Sequence, residues 1–523
     1  MTIDIPGWVS ERVFYQIFPD RFARSERLSG QGMKWEEWGA PPSIFGFKGG
    51  DLFGILERLD YLEDLGINAI YLNPIFSSAA NHRYHTYDYH NVDALLGGNQ
   101  GFLELLKAAH GRKMRIMLDG VFNHASRGLW QFHHVLENGS GSPYRDWFHF
   151  NPNRLDRSRN WGAYPGPQEM QALESGAGSL EAIGYQAWWN MPALPKFRTE
   201  TAAVREFLWR VAEYWCEQGI DGWRLDVPEE IADADFWREF RRRTRNVNPE
   251  VYLVGEIWHE ARQWLAGDMF DAVMNYQLAT ALLGFLVKEG VDEDTLKVGG
   301  YQDAIHPLDA GGFSRQVEHL LNLYDPAVNQ AQFNLLDSHD TPRFLTSARG
   351  DTSALRLAWM FLFTFPGVPC IYYGDEIGMQ GRRDPDCRKA FPWDEKEWDS
   401  DLREHVKGLI ALRRANPALR SGFFCSLHAA DDVYAYARWQ DQAVHVIVLN
   451  ASQDSRNLEI PVSSLQVMDG RMVTLFGDGS GWVKNGIIHQ LQLAPRSGIV
   501  LCGKRKIPPD PPPAVTRRKR RKE

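Results

Sequence analysis

Short runs of branched and aromatic residues recur along the first 375 positions, each about as long as a strand. They are Val13–Phe18, Ala69–Leu72, Met114–Leu118, Gly222–Leu225, Tyr252–Gly255, Phe270–Val273, Phe333–Leu336 and Pro369–Tyr373. Helical patterns separate most of them. The clearest spans Thr201–Gln218, where Val204, Phe207, Leu208, Val211, Tyr214 and Trp215 form one apolar stripe before Gly219 stops it. Others cover Leu52–Leu65, Gly101–His110 and Leu355–Phe365. Eight strands alternating with helices predict an α/β fold, a closed (β/α)8 TIM barrel built from residues 1–120 and 191–420. An open doubly wound sheet is the alternative, but no G-x-G-x-x-G follows an early strand.

About eighty residues separate the third strand from the helix at Thr201, rich in Gly, Pro, Asn and Trp. So long a connection within a compact domain is usually functional. Residues 121–190 therefore read as an inserted irregular subdomain beside the barrel mouth. Beyond about 420 the texture becomes alternating, as in Val433–Ala437, with Asn-, Asp- and Gly-rich turns. Residues 421–502 are expected to form a C-terminal antiparallel β domain, a sandwich. Residues 503–523 are Pro-rich and basic and are expected to be a disordered tail.

That tail carries nine Lys/Arg against two acidic residues, so the body is more acidic than the net charge of −9. An acidic body argues against nucleic acid as a partner. The five cysteines are widely spaced without C-x-x-C, which disfavours a disulfide framework or a zinc site. The start has no signal-peptide pattern, and no window is long and apolar enough for a membrane span. A reduced, cytoplasmic location is expected. The content of 19 Trp, 18 Tyr and 28 Phe also suits a surface that stacks sugar rings.

In a (β/α)8 barrel the chemistry lies at the carboxyl ends of the strands. Strand three ends at Asp119, followed by Asn123 and His124; strand four leads through Arg224 to Asp226; strand five to Glu256 and then Trp258; strand seven to His339 and Asp340. Two carboxyl groups, one ionised and one protonated, are what glycoside hydrolysis requires. Arg224, two residues before Asp226, shares its strand face and is expected to keep Asp226 ionised. Glu256, crowded by anions, is expected to hold a proton. His124 and His339 suit hydrogen bonds to sugar hydroxyls. No H-x-H, H-E-x-x-H or C-x-x-C motif supports catalysis by a metal.

These residues lie in segments that resemble the α-amylase family of glycoside hydrolases. DGVFNH (119–124), GWRLDV (222–227), GEIW (255–258) and SHD (338–340) resemble its four signature regions, in order. VFYQIFPDRF (13–22), GFKGGDLFGI (46–55) and GVPCIYYGDEIGM (367–379) resemble its first strand, first helix and last strand. The resemblance covers roughly residues 10–420. It implies Asp226 as nucleophile, Glu256 as general acid/base and Asp340 as transition-state stabiliser. It implies that Arg224, His124 and His339 line the reacting-sugar subsite and that Tyr84 stacks under that sugar. NHRY (81–84), MPALPK (191–196), GEIWHEA (255–261) and DPDCRKAFPWDE (384–395) are similar to the neopullulanase, cyclomaltodextrinase and maltogenic amylase branch. There the counterparts of Asp384 and Arg388 contact a donor-side sugar, and that of Trp258 lies near the acceptor.

The expected activity is retaining hydrolysis of α-1,4 bonds in maltooligosaccharides, cyclodextrins, pullulan or starch, with α-1,6 cleavage and glycosyl transfer left open. The alternatives are an exo-acting oligo-1,6-glucosidase or glucanotransferase, and a non-enzymatic glucan-binding barrel; retention of all three carboxylates disfavours the last. The branch usually carries an N-terminal β domain that helps it dimerise. Here the barrel starts near Val13, so a homodimer is left open. Val227-Pro228-Glu229-Glu230 and His85 also depart from the branch pattern. No cofactor is expected, and structural calcium is not indicated, since residues 23–39 lack the Asn/Asp-rich calcium pattern. Activity is accordingly expected to survive EDTA; loss of turnover restored only by calcium would reveal a metal site.

Overall fold

The computed structural model describes residues 3–28, 32–155, 164–298, 301 and 304–506. Eight parallel strands form its centre. They are β1 (Phe14–Ile17), β2 (Ala69–Leu72), β3 (Arg115–Gly120), β4 (Gly222–Leu225), β5 (Tyr252–Gly255), β6 (Ala272–Val273), β7 (Phe333–Asn334) and β8 (Val368–Tyr372). They hydrogen-bond in the order β6-β5-β4-β3-β2-β1-β8-β7. A parallel bridge between Met274 and Phe333 joins β6 to β7 and completes the ring. The fold is thus the (β/α)8 barrel that the alternation predicts. Seven of the strands are buried at every residue; only Arg115, at the start of β3, is partly exposed. Interior side chains cover one face and helices the other, so the strands read as continuous apolar runs.

The helices differ in detail from the sequence pattern. Ala202–Glu217 buries Val204, Leu208, Val211 and Trp215. Phe207 and Tyr214 sit at the margin of that stripe and meet Trp147 and His90 instead. The pattern over Leu52–Leu65 is two helices, Leu52–Glu57 and Leu59–Leu65, that part at Arg58.

The long connection after β3 has its own aromatic core. Phe132, Phe148 and Tyr185 pack edge to face, and Phe148 stacks on Phe197. Bridges His124–Lys196, Phe148–Phe197 and Ala187–Pro195 close the segment on itself, beside the carboxyl end of β3. Residues 156–163 within it lie outside the described residues.

Two antiparallel sheets follow the barrel. One has five strands (Phe423–Ala430, Val433–Gln440, Ala443–Asn450, Ser497–Lys504, Val473–Phe476) and the other four (Arg456–Pro461, Ile487–Leu493, Trp482–Lys484, Gly470–Arg471). Val433, Ala435 and Ala437 face the second sheet with Val446 and Leu501. The alternate residues Tyr434 and Tyr436 pack on Phe313 and Phe361 of the barrel helices. One strand thus serves two interfaces through its two-residue period. The last strand runs to Lys504, which pairs with Ala443, so the start of the expected tail is corrected: residues 503–504 belong to the sheet because strand Ala443–Asn450 offers them a partner edge. Residues 507–523 lie outside the described residues. Among the described residues no helix is long and apolar enough to cross a membrane.

Candidate active site

The parallel ladder delivers the acidic residues to one rim. Asp119 pairs with Arg224 across β3 and β4. Hydrogen bonding continues past the strand ends: Asp226 N donates to Gly120 O at 3.0 Å and Glu256 N to Leu225 O at 2.9 Å. Asp119, Asp226 and Glu256 are therefore neighbours on consecutive strands.

The Arg224 guanidinium, wholly buried, holds all three. Its nitrogens lie 2.8 Å from Asp119, 3.0 Å from Asp226 and 2.9 Å from Glu256. Tyr71 and Tyr84 donate phenolic hydrogens to Asp119 Oδ2 at 2.6 and 2.8 Å. Glu256 Oε2 accepts from Val227 N at 3.2 Å, and its Oε1 lies 3.4 Å from the Trp258 indole nitrogen. Trp258 stacks on Tyr276 with centroids 3.7 Å apart.

A second group forms around Asp340. Its carboxylate meets His339 Nε2 at 3.0 Å and Arg388 Nη2 at 3.0 Å. Arg388 also donates to His339 O at 2.9 Å and pairs with Asp384 at 3.1 Å. Gln16 Nε2 lies 2.9 Å from His339 Nδ1. A Gln amide nitrogen only donates, so Nδ1 accepts and the hydrogen sits on Nε2, facing Asp340 and the Tyr84 oxygen at 2.6 Å. The Tyr84 and His339 rings stack at 3° to each other. His124 lies under Trp188, with rings 4.9 Å apart, and Trp188 lies under Trp189 at 4.5 Å.

All ten residues singled out from sequence are thus found at the carboxyl end of the barrel, in two linked clusters and one aromatic column. Sequence reasoning missed Tyr71, Gln16 and Tyr276. Tyr71 and Gln16 face the barrel interior, which their two-residue period permits but does not single out.

Burial and charge set the protonation. Burial pushes Asp226 well above the ordinary carboxylate range, against the pull of Arg224, and Glu256, Asp119 and Asp340 add to the rise. Arg224 pulls Asp226 toward the ionised form as expected, but its one charge is divided among three carboxyls, so the net shift is upward. Burial, with Asp340 and Asp119, pushes Glu256 up to about 7 despite Arg224 and the Val227 N–H. Burial works to raise Asp340 too, but His339, Arg388 and Arg224 outweigh it and hold it below its usual range. Burial pushes His124 and His339 down to about 3, so both are neutral near pH 7. Several buried polar atoms here make no hydrogen bond within the described protein, among them Asp226 Oδ2, Asn123 Oδ1, His124 Nε2, Trp188 Nε1 and Arg224 Nη2, which meets Glu256 as an ion pair. Such atoms cost free energy unless a partner reaches them, and a ligand rich in hydroxyls supplies both donors and acceptors. Among the described residues no cluster of three or more His, Cys, Asp or Glu could hold a metal ion.

Replacing Arg224 tests this electrostatic arrangement. Arg224→Met leaves three buried carboxyls facing each other, a loss of about 3–5 kcal/mol when they are charged. Their folded-state pKa values rise further, so the variant is most stable at low pH and loses stability as pH increases. The deficit in melting temperature against wild type is expected to be larger at pH 8 than at pH 5; an equal deficit at both would refute charge sharing.

Comparison with known proteins gives the site its context. The profile described as "Alpha amylase, catalytic domain" matches residues 16–408, and "Neopullulanase-like, C-terminal domain" matches 424–501. The chain is 42% identical over 464 residues to a cyclomaltodextrinase of Geobacillus thermopakistaniensis, covering 88% of this chain and 72% of that protein. Ttha1563 of Thermus thermophilus superposes with a TM-score of 0.85 at 46% identity, covering 95% of this chain and 99% of the other. A debranching enzyme of Nostoc punctiforme superposes with a TM-score of 0.84 at 43% identity, covering 96% and 100%.

Proposed function

The chain belongs to the α-amylase family of glycoside hydrolases, and on that premise we propose that it cleaves α-1,4 bonds of short or cyclic maltodextrins with retention, and α-1,6 bonds as well. The observation that carries this reading is the pair Asp226 and Glu256 on one guanidinium, with Asp226 Oδ2 left unpartnered and Glu256 raised to about 7. Two carboxyls gripping neighbouring nitrogens of Arg224 suit the short separation that double displacement uses.

In this mechanism Glu256 gives its proton to the glycosidic oxygen while Asp226 attacks the anomeric carbon. The C–O bond to the leaving sugar breaks and a glycosyl ester forms on Asp226. Glu256, now ionised, takes a proton from water, the water oxygen attacks the same carbon, and the ester breaks. Asp340, His339 and His124 hold ring hydroxyls, and Tyr84 supports the sugar face. Asp340 stays anionic because His339 and Arg388 hold it so, which favours the positive charge developing on the ring. Asp384 and Arg388 grip a donor-side sugar, and Trp258 meets the acceptor.

Asp226→Asn and Glu256→Gln are each expected to lose activity on the order of 10⁴-fold while keeping their melting temperatures near wild type. Wild-type products should retain the α configuration by NMR. The form with a proton on Glu256 is lost as pH rises, so kcat/KM should fall on a basic limb near pH 7. Inverted products, or a near-wild-type Glu256→Gln, would overturn the assignment.

Substrate length follows from the walls of the cleft. The Trp188–Trp189 column on one side and the Asp384–Arg388 pair on the other suit a few well-held sugars. Similarity to enzymes named cyclomaltodextrinase and debranching enzyme supports both the cyclic substrates and the α-1,6 bond. Per glucose unit, kcat/KM for β-cyclodextrin or maltohexaose is expected to exceed that for soluble starch. A ratio below one, with long random oligomers released early, would indicate an ordinary endo-amylase instead.

A further inference from the structure

The most exposed large apolar side chain among the described residues is Phe45, at 88%, with Ile44 beside it at 62%. Both sit in the connection between β1 and the helix Leu52–Glu57. Scattered exposed apolar residues are ordinary and by themselves need no explanation. Here the backbone is pinned on both sides of Phe45. Asn81 Nδ2 donates to Ile44 O at 2.9 Å and to Gly46 O at 2.8 Å, and Arg21 Nη2 donates to Gly46 O at 2.8 Å. A Cβ at position 46 would overlap the Glu36 carboxylate and displace it from Ser43 and Lys48. Glu36 N donates to Phe47 O at 2.8 Å, and the Phe47 ring lies under the Arg83 guanidinium at 5.4 Å. The Lys48 ammonium, fully buried, donates to Glu37 O at 2.6 Å and Ala40 O at 2.7 Å and lies 3.4 Å from Glu36. The loop is built to hold its tip still, with an aromatic ring in water.

The pins lead to the active site. Asn81 and Arg83 belong to the turn that presents Tyr84. Arg21 and Arg388 lie over the same Phe18 ring, at 5.9 and 5.5 Å. The tip is thus tied to the flank of the barrel mouth where Arg388 holds Asp340 and Asp384. A glucose unit has an apolar C–H face and a polar hydroxyl edge, and a rigid aromatic ring matches the face at little entropic cost. We propose that Phe45, backed by Ile44, is a stacking subsite for a sugar of an α-glucan chain that extends past the unit held at Asp384 and Arg388.

This inference rests on the α-glucan hydrolase reading, and the test separates the two. Wild type, Phe45→Ala and Phe45→Tyr are assayed on maltotriose, maltohexaose and longer maltodextrins, with melting temperature and sedimentation measured for each. Phe45→Ala is expected to raise KM for the long substrates about fivefold, the size of one aromatic contact. Its kcat and its kinetics on maltotriose should stay as in wild type, and Phe45→Tyr should restore KM. No length dependence in Phe45→Ala, with wild type active, overturns the subsite and leaves the hydrolase reading standing. An equal loss on all lengths with a lowered melting temperature makes the residue structural and also overturns it. A change in sedimentation alone would assign the tip to contact with a second copy of the chain and overturn the subsite too. A wild type that hydrolyses no α-glucan removes both readings.

Discussion

The arrangement of the barrel mouth depends on one buried guanidinium. Arg224 touches Asp119, Asp226 and Glu256 at once and has no exposure to water. Two opposite charges 4 Å apart attract by about 4 kcal/mol at an effective dielectric near 20. That attraction is large enough to keep carboxylates in the core, but it is divided three ways. Two phenols relieve Asp119 by donating to it. Asp226 and Glu256 receive less help, and burial raises all three carboxyls. The surplus of negative charge over positive is what leaves a proton in the cluster near pH 7, and the proposed mechanism uses that proton.

The Asp340 group is arranged with the opposite sense. Arg388 donates to the Asp340 carboxylate and His339 Nε2 lies 3.0 Å from it, and with Arg224 they keep it ionised. His339 is neutral near pH 7, its Nε2 meets the Tyr84 oxygen at 2.6 Å, and Gln16 on β1 fixes which nitrogen carries the hydrogen. Gln16 also bonds Asn73, and Asn73 bonds Tyr84. A chain of neutral hydrogen bonds thus runs across the floor from β1 to the loop after β2 and on to Asp119. It sets geometry without adding charge to a site where the charge balance matters.

The eight strands and the strand-end carboxylates were legible because both follow from local pattern. Strands buried on both faces appear as apolar runs, and an acidic residue directly after such a run stands out. What escaped the reading depends on contacts between distant segments. The i, i+2 spacing of Arg224 and Asp226 shows a shared face, yet not that the same guanidinium also reaches Asp119 and Glu256. The Phe45 tip is one more short apolar stretch in a loop until Asn81, Arg21 and Lys48 are seen holding it. The helical stripe over Leu52–Leu65 is continuous in sequence, but the chain parts at Arg58, whose guanidinium lies 4.0 Å over the Trp393 ring, more than three hundred positions away. The expected tail began too early because Gly503 and Lys504 have no strand character of their own; the edge of the neighbouring strand recruits them.

Val227 shows how far the local backbone departs from its own preference to serve the site. It comes directly after Asp226 and has φ 36° and ψ 52°, a left-handed conformation that a β-branched residue adopts only at a cost of about 1–3 kcal/mol. Nothing in the sequence asks for it; a glycine would sit there freely. The conformation turns the Val227 N–H onto Glu256 Oε2. It also starts the short helix Pro228–Glu230, whose Pro228 carbonyl, with that of Ile231, accepts from the buried Trp237 indole at 3.1 Å. The turn is therefore held from outside: Pro228 biases Val227 toward extended backbone, and Trp237 anchors the short helix to the barrel against that bias. The N–H favours the anionic form of Glu256, so it works against burial and the neighbouring carboxyls. A relaxed backbone at Val227 would withdraw it, and Glu256 would then hold its proton more tightly and release it less readily. The strain is thus tied to the residue whose proton the reaction both gives and takes back, and the packing around Trp237 keeps the turn from relaxing.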